Sequence, residues 1–449
     1  MAHPIDQAIS SWNKLLADDP IAQSHDALTH ELQKAGLLPD DRALCKVLRP
    51  RFVTASRHRE EQLLARGLVS IHEKMLAGIE SGDIPDTNLG GLREWIRRVR
   101  ALDPRPESSK AAWLRLDASL ARTQLHALEL NGDAPSGEGH NDAVIAFLMA
   151  IPATERFLQQ NGGTFLELLP GFERQIVKRA REITGVENPS VAWACWNDTP
   201  DRRKLVAALT SHLTSRGFPV VYADPSEFEV NDSATRLNGT RIHVILRACL
   251  TPELLERQEA ASALIQAARS NHTVVLNPLG TEPLGHKALF AAISDPALTR
   301  QLSSSERKLI ARHIPWTRLL VEQNTASPQG KEIDLLPWVI ENRSHLVVKP
   351  MDGHSGEGVV LGWHTEPDRW EETVQTNLGR SVVQSRVRLH SERYPVIDDG
   401  LAEHEFYEDT DPFLFEGEPA GVLTRLSASE ITNVSAGGGV AATLVLPDS

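Results

Sequence analysis

Apolar residues recur at spacings of three and four through the first hundred positions. The pattern is clearest in Glu61-Gln-Leu-Leu-Ala-Arg-Gly-Leu-Val-Ser-Ile-His-Glu-Lys-Met-Leu. That period is helical, so residues 1–108 read as a helical region. Asp103-Pro-Arg-Pro closes its Leu92–Leu102 helix, because proline lacks an N–H donor and disfavours helical backbone in its predecessor. From Trp113 the period changes to two. Trp113-Leu-Arg-Leu-Asp-Ala-Ser-Leu and Gln124-Leu-His-Ala-Leu-Glu-Leu-Asn both alternate and predict a pair of neighbouring strands. A polar loop, Asp133-Ala-Pro-Ser-Gly-Glu-Gly, follows, and helices resume from about Asn141 to Thr184 within a segment taken as 109–185.

Over 186–283, short apolar strands alternate with amphipathic helices. Strands are expected at Ser190-Val-Ala-Trp-Ala-Cys-Trp, Pro219-Val-Val-Tyr-Ala, Arg241-Ile-His-Val-Ile-Leu-Arg and Thr273-Val-Val-Leu, with helices over Arg202–Arg216 and Pro252–Ser270. This order predicts a parallel sheet covered by helices, a Rossmann-like unit serving substrate or scaffold. It carries no GxGxxG turn, so a dinucleotide role lacks its main support. The last segment, 284–449, has helices near Lys287–Ile293 and Glu306–His313. Its strands are expected at His345-Leu-Val-Val-Lys-Pro, Gly358-Val-Val-Leu-Gly, Arg380-Ser-Val-Val-Gln-Ser-Arg-Val, Gly421-Val-Leu-Thr-Arg-Leu-Ser and Thr443-Leu-Val-Leu.

Three clusters on this pattern carry candidate chemistry. The first is Lys349-Pro-Met-Asp-Gly-His-Ser-Gly-Glu-Gly. Gly353, Gly356 and Gly358 allow backbone N–H groups to turn onto phosphate oxygens, with His354 and Ser355 between them. Lys349 ends the preceding strand, where its ammonium reaches the same oxygens. An ordinary glycine-rich hairpin fits these residues about as well, and Glu357 repels phosphate unless it faces solvent or a substrate amine.

The second is Arg115-Leu-Asp117 with Glu129-Leu-Asn131. A spacing of two puts each pair on one strand face. If the strands pair, Asp117, Glu129 and Asn131 converge as hard oxygen ligands of the kind Mg²⁺ takes, and Arg115 can neutralise a transferring phosphoryl group. A solvated strand face is the plainer account of the same alternation. The third is Arg425, Asn433 and Gly437-Gly438-Gly439: a mobile clamp with an arginine for a substrate carboxylate, or a loose turn beside a surface ion pair. Lys287 and Gln384 are lesser candidates. Asp409 and Asp411 precede Pro412-Phe-Leu-Phe, where an Asp-Pro turn is expected.

Composition narrows the field. The 449 residues carry a formal net charge of −13, which disfavours nucleic acid and anionic membranes as bulk partners. Cys45, Cys195 and Cys249 form no CxxC pair and read as structural thiols, not disulfides or zinc ligands. No apolar run approaches the ~18 residues of a membrane span and no signal-peptide core is seen, so a cytoplasmic protein is expected. Histidines at metal-ligand spacing, HExxH and GxSxG are all missing, which removes support for zinc and serine hydrolases.

Together the three clusters resemble the ATP-grasp superfamily in its circularly permuted branch, which includes eukaryotic-type glutathione synthetase and glutathionylspermidine synthetase-like proteins. The order carries the resemblance: Asp117 and Glu129-Leu-Asn131 come first, Lys287, Lys349 and the glycines after them, over roughly residues 110–449. Arg115-Leu-Asp117 resembles the Arg-x-Asp strand, Glu129-Leu-Asn131 the metal-binding Glu-x-Asn, and Lys287 and Lys349 the two nucleotide-binding lysines. Gly353 to Gly358 resembles the phosphate-covering loop, and Val382-Val-Gln384-Ser the hinge that holds adenine through backbone groups. Thr424-Arg-Leu to Gly439 is similar to the glycine/alanine-rich lid with its substrate-binding arginine. Pro315-Trp-Thr-Arg318 and Asn433-Val-Ser-Ala-Gly-Gly-Gly resemble motifs of uncharacterised bacterial proteins.

The resemblance implies an α/β (α+β) ATP-grasp fold, circularly permuted, with an N-terminal helical region and a Rossmann-like insertion. It implies ATP and Mg²⁺ as cofactors and an acyl-phosphate ligase joining a small-molecule or peptide carboxylate to an amine. A phosphotransferase, a degenerate ATP-binding module and a plain scaffold remain as alternatives, and a homodimer stays open.

Overall fold

The structure is a computed structural model, and it describes residues 4–38, 42–45, 47–85, 89–121, 124–351, 353, 356–398, 400–432, 434 and 438–448. The N-terminal region is helical as its period predicts, with helices at Pro4–Ala17, His25–Lys34, Ala55–Ser81 and Leu92–Leu102. The Ala55–Ser81 helix starts where the Thr54 side chain accepts from Arg57 N and ends at Gly82, left-handed at φ 88°. One strand, Arg51–Thr54, interrupts this region and pairs in parallel with Thr443–Leu446. Four residues are too few for a periodic signature. The strand exists because the far end of the chain supplies its partner.

A large antiparallel sheet runs in the order Gly439–Ala441, Glu418–Ser427, Gly400–Phe415, Trp113–Ala121, Gln124–Asn131, with His390–Asp398 also pairing to the long Gly400–Phe415 strand. Leu114, Leu116 and Ala118 pack into a core with Leu68, Val69 and Leu289. Alternation therefore places Arg115 and Asp117 on the opposite face.

The partner strand does not simply alternate. A register shift between Asp117 and Ala118 makes Leu128 an extra residue in Gln124–Asn131. Leu125 and Ala127 face the core before it and Leu130 after it. Without that bulge Glu129 would share the core face with Ala127.

The predicted parallel sheet is present, in the order Val274–Leu276, Val244–Arg247, Val191–Ala194, Val220–Ala223. Its covering helices are each broken in two, Asp201–Leu205 with Ala207–Ser215 and Thr251–Glu256 with Ser262–Arg269. The buried Asn277 side chain ties this sheet to the large one. It accepts from Ala112 N at 3.0 Å and Trp113 N at 3.2 Å and donates to Trp113 O at 2.7 Å. A third sheet, antiparallel, runs Thr317–Leu319, Ser381–Ser385, Leu346–Pro350, Val360–Leu361. It faces the large sheet across a cleft.

The Asp-Pro turn expected at Asp409 and Asp411 is replaced by strand: both lie inside Gly400–Phe415. Their segment reads as a loop because it is crowded with charge, but the Glu418–Ser427 strand pairs with it, Asp409 opposite Arg425 and Asp411 opposite Leu423. Among the described residues no helix is long and apolar enough to cross a membrane.

Candidate active site

Register brings the first half of the site together. Arg115 stands opposite Asn131 and Asp117 opposite Glu129, while Arg425 stands opposite Asp409 on the neighbouring pair of strands. Arg115 Nε lies 2.7 Å from Asp117 Oδ1, and Arg425 Nη2 lies 2.8 Å from Asp117 Oδ2 and 2.7 Å from Asp409 Oδ2. Arg425 Nε is also 2.8 Å from Asp411 Oδ2, though not aligned for a hydrogen bond. Three buried carboxylates thus share two guanidiniums.

Burial pushes the Asp117 carboxyl up, but Arg115 and Arg425 more than offset it and hold it below the usual range. Burial wins at Asp409 and Asp411, both raised, Asp411 well above its ordinary value because Asp117 and Asp409 add repulsion. Arg425 is raised well above normal by the same three carboxylates despite its burial.

The second half comes from the third sheet. Lys349 ends the Leu346–Pro350 strand, its Nζ 3.4 Å from Leu128 O. Lys287 opens the Lys287–Ser294 helix, donates to Gly353 O at 2.6 Å and lies 3.5 Å from Glu129 Oε2. Burial lowers the Lys349 ammonium to about 8, with nearby Glu129 opposing and Lys287 adding to the shift. Gly356 and Gly358 have φ of 75° and 71°, backbone that glycine alone adopts cheaply. A Cβ at Gly358 would also come within 2.7 Å of Pro350 Cγ. Glu357 is exposed in this turn, which relieves the repulsion its charge raised. Gln384 is buried with its amide donated to Thr317 Oγ1 at 3.1 Å. Gly438 and Gly439 are buried at the start of the Gly439–Ala441 strand. His354, Ser355, Asn433 and Gly437 lie outside the described residues.

Two cavities meet here. One, of about 140 Å³, is lined by Lys349, Gly356, Gln384, Trp363 and Thr432. The other, of about 720 Å³, opens toward the parallel sheet past Trp95, Asp133, Arg247 and Glu282. Glu129, Lys287, Gly353 and Arg425 line both. Glu129 at this junction and Asn131 on the wall of the large cavity offer hard oxygens, which fits a magnesium ion with a small protein share of its ligands. Asp117 is otherwise engaged: both its oxygens take guanidinium N–H groups, and Asn131 Nδ2 donates to it at 2.8 Å.

Reading the sequence assigned Asp409 and Asp411 to a turn and missed Glu282 and Trp95. Asp409 and Asp411 had a signal, the same spacing of two as Arg115 and Asp117. Glu282 and Trp95 had none, since only the tertiary fold joins them.

No family model matches the chain. A curated relative, a putative glutamate–cysteine ligase of Frankia casuarinae, is 26% identical over 297 residues. That match covers 61% of this chain but only 31% of the relative, so the chain spans about a third of its length. The structure of a glutathione synthetase-like effector from Globodera pallida in apo form aligns over 100% of this chain and 98% of its own, with a TM-score of 0.57 at 10% identity. The two share a fold, which bears out the mixed α/β, glutathione synthetase-like architecture. A putative gamma-glutamylcysteine synthetase from Methylobacillus flagellatus aligns over 86% of this chain and 87% of its own, at 14% identity and a TM-score of 0.39, too loosely to bear on the site.

Proposed function

We propose that this chain is an ATP-dependent carboxylate–amine ligase with a circularly permuted ATP-grasp arrangement, working through an acyl phosphate. The observation that carries the reading is the junction at which Glu129, Lys287, Gly353 and Arg425 line both a small cavity and a large one. In this reading the small cavity holds the nucleotide and the large one holds the acid and the amine. Lys287 and Lys349 hold the phosphates. Glu129 and Asn131 would hold Mg²⁺, which neutralises charge shared between the phosphates. Arg115 and Arg425 face the developing charge on the transferred phosphoryl group, and the amine then displaces phosphate. Positioning and electrostatics supply the rate, so no covalent enzyme nucleophile is needed.

The test is a screen of acid and amine pairs for ADP release with mass detection of the product, beginning with L-glutamate and L-cysteine, the pair in the Frankia relative's name. ADP with an amide product supports the ligase. A stable phosphorylated product without amine consumption identifies a kinase instead, and no Mg·ATP affinity rejects both.

Lys349 adds a pH signature. An ammonium lowered to about 8 in the empty protein is partly neutral above that pH, and bound phosphates favour its charged form. Mg·ATP binding at pH 8.5 is therefore expected to take up part of a proton, seen by calorimetry in buffers of different ionisation enthalpy. Lys349→Met should show no such uptake, and equal uptake in both proteins would assign it elsewhere.

A further inference from the structure

The large chamber has a corner that the proposed chemistry leaves unused. It forms where the Leu92–Leu102 helix meets the turn ahead of Lys287. Trp95 Nε1 donates to Glu282 Oε2 at 2.5 Å, and the His286 ring lies 5.9 Å from the Trp95 ring. Among the described residues Glu282 forms no ion pair. The nearby cations are otherwise engaged. Arg247 Nη2 binds Asp133 Oδ1 at 2.6 Å, Lys287 binds Gly353 O at 2.6 Å, and Arg100 binds Glu80 at 2.6 Å and Gly280 O at 2.7 Å. Arg98 stacks over the Trp95 ring at 5.4 Å.

Burial first, then the charge of Asp133, pushes the Glu282 carboxyl up to about 8, against the Trp95 bond and the positive charges of Arg247 and Lys287. A carboxyl desolvated on a cavity wall, with no cation of its own, costs stability and completes no structural pair. Such groups mark ligand sites.

We propose that Glu282, held by Trp95, is the docking point for a cationic amino group of the chamber's occupant. The occupant's role as a ligase substrate rests on the reading above; the site itself does not. A charged ammonium supplies the missing counter-charge, while a carboxylate or an uncharged group at this corner does not. It also gives the N-terminal helices a part in selecting the substrate, through Trp95. Docking converts Glu282 from acid to carboxylate, so one proton leaves as the ammonium enters.

The probe is n-butylammonium chloride, titrated by ligand-observed NMR from pH 6.5 to 9, with 1-butanol as the uncharged control. Below about 8 the affinity is expected to rise about tenfold per pH unit, then level off while the amine stays charged. Glu282→Gln should lose at least tenfold in affinity at pH 8 and all of the pH dependence, while keeping Mg·ATP affinity. Trp95→Phe removes a hydrogen bond that lowers the Glu282 value, so its curve should move to higher pH, a shift that a merely structural role does not produce. Flat pH dependence, equal binding by Glu282→Gln, or equal binding of 1-butanol overturns the proposal. Butylammonium binding without Mg·ATP binding leaves the subsite standing and rejects the ligase; the converse rejects the subsite alone.

Discussion

Replacing Arg425 by methionine is expected to cost about 3–5 kcal/mol of stability at pH 7.5, the range for removing one partner of a buried charge network. Methionine keeps much of the side-chain bulk, so lost charge dominates over lost packing. Asp409 and Asp411 are fully buried, and among the described residues Asp117 would keep Arg115 as its one ion-pairing cation beside the Asn131 hydrogen bond. The loss should shrink as pH falls, because the stranded carboxylates then take up protons and stop repelling one another. Asp411→Asn gives the contrast. Burial first, then the charges of Asp117 and Asp409, drive that carboxyl well above its ordinary value, so the amide removes a charge that the site disfavours and should cost less than Arg425→Met. Urea denaturation at pH 7.5 and 5.5 measures both. An Arg425→Met loss below about 1 kcal/mol, or one independent of pH, would show that the carboxylates are solvated or already neutral.

How far the sequence discloses this site follows from range. Asp117, Glu129 and Asn131 are legible because neighbouring strands joined by a short connection declare their own register. The bulge at Leu128 is not legible, because its parity flip is visible only once Leu125, Ala127 and Leu130 are seen to share a core. The parallel sheet follows from short β-branched and aromatic runs alternating with helices. Arg51–Thr54 does not, since it is a strand only through a partner at the far end of the chain; the charged half of Gly400–Phe415 does not either, because its charges hide any apolar alternation although the strands before and after it pair with it. The Arg425 network shows the same limit. Its arginine and Asp117 are visible as candidates, but Asp409 and Asp411 hide in a segment that reads as a turn until the Glu418–Ser427 strand pairs with it.

The largest catalytic effects are expected at Glu129 and Lys349. Glu129→Ala and Lys349→Ala should each abolish measurable ATP turnover, a loss on the order of 10²–10³-fold or more for a single electrostatic contact at a transferring phosphoryl group. Stability should move differently. Lys349 carries an ammonium that burial penalises more than Glu129 and Asp117 favour it, and among the described residues its hydrogen bond is a long 3.4 Å, so its removal should leave stability unchanged or raised. The sign follows from linkage: a lysine depressed to about 8 destabilises the fold below its unfolded value near 10.4, most fully under pH 8. Any gain in Lys349→Ala should therefore be largest at neutral pH and fade as pH rises toward 10. Glu129→Ala acts through the same group. Its negative charge opposes the lowering of Lys349, so its loss lowers that lysine further and weakens nucleotide binding at pH 8 more than at pH 6.5. A fold kept or strengthened while turnover vanishes is the signature of residues placed for phosphate chemistry at a cost to stability. Turnover retained in both variants, with an intact fold, would remove the basis for placing the nucleotide between these two sheets.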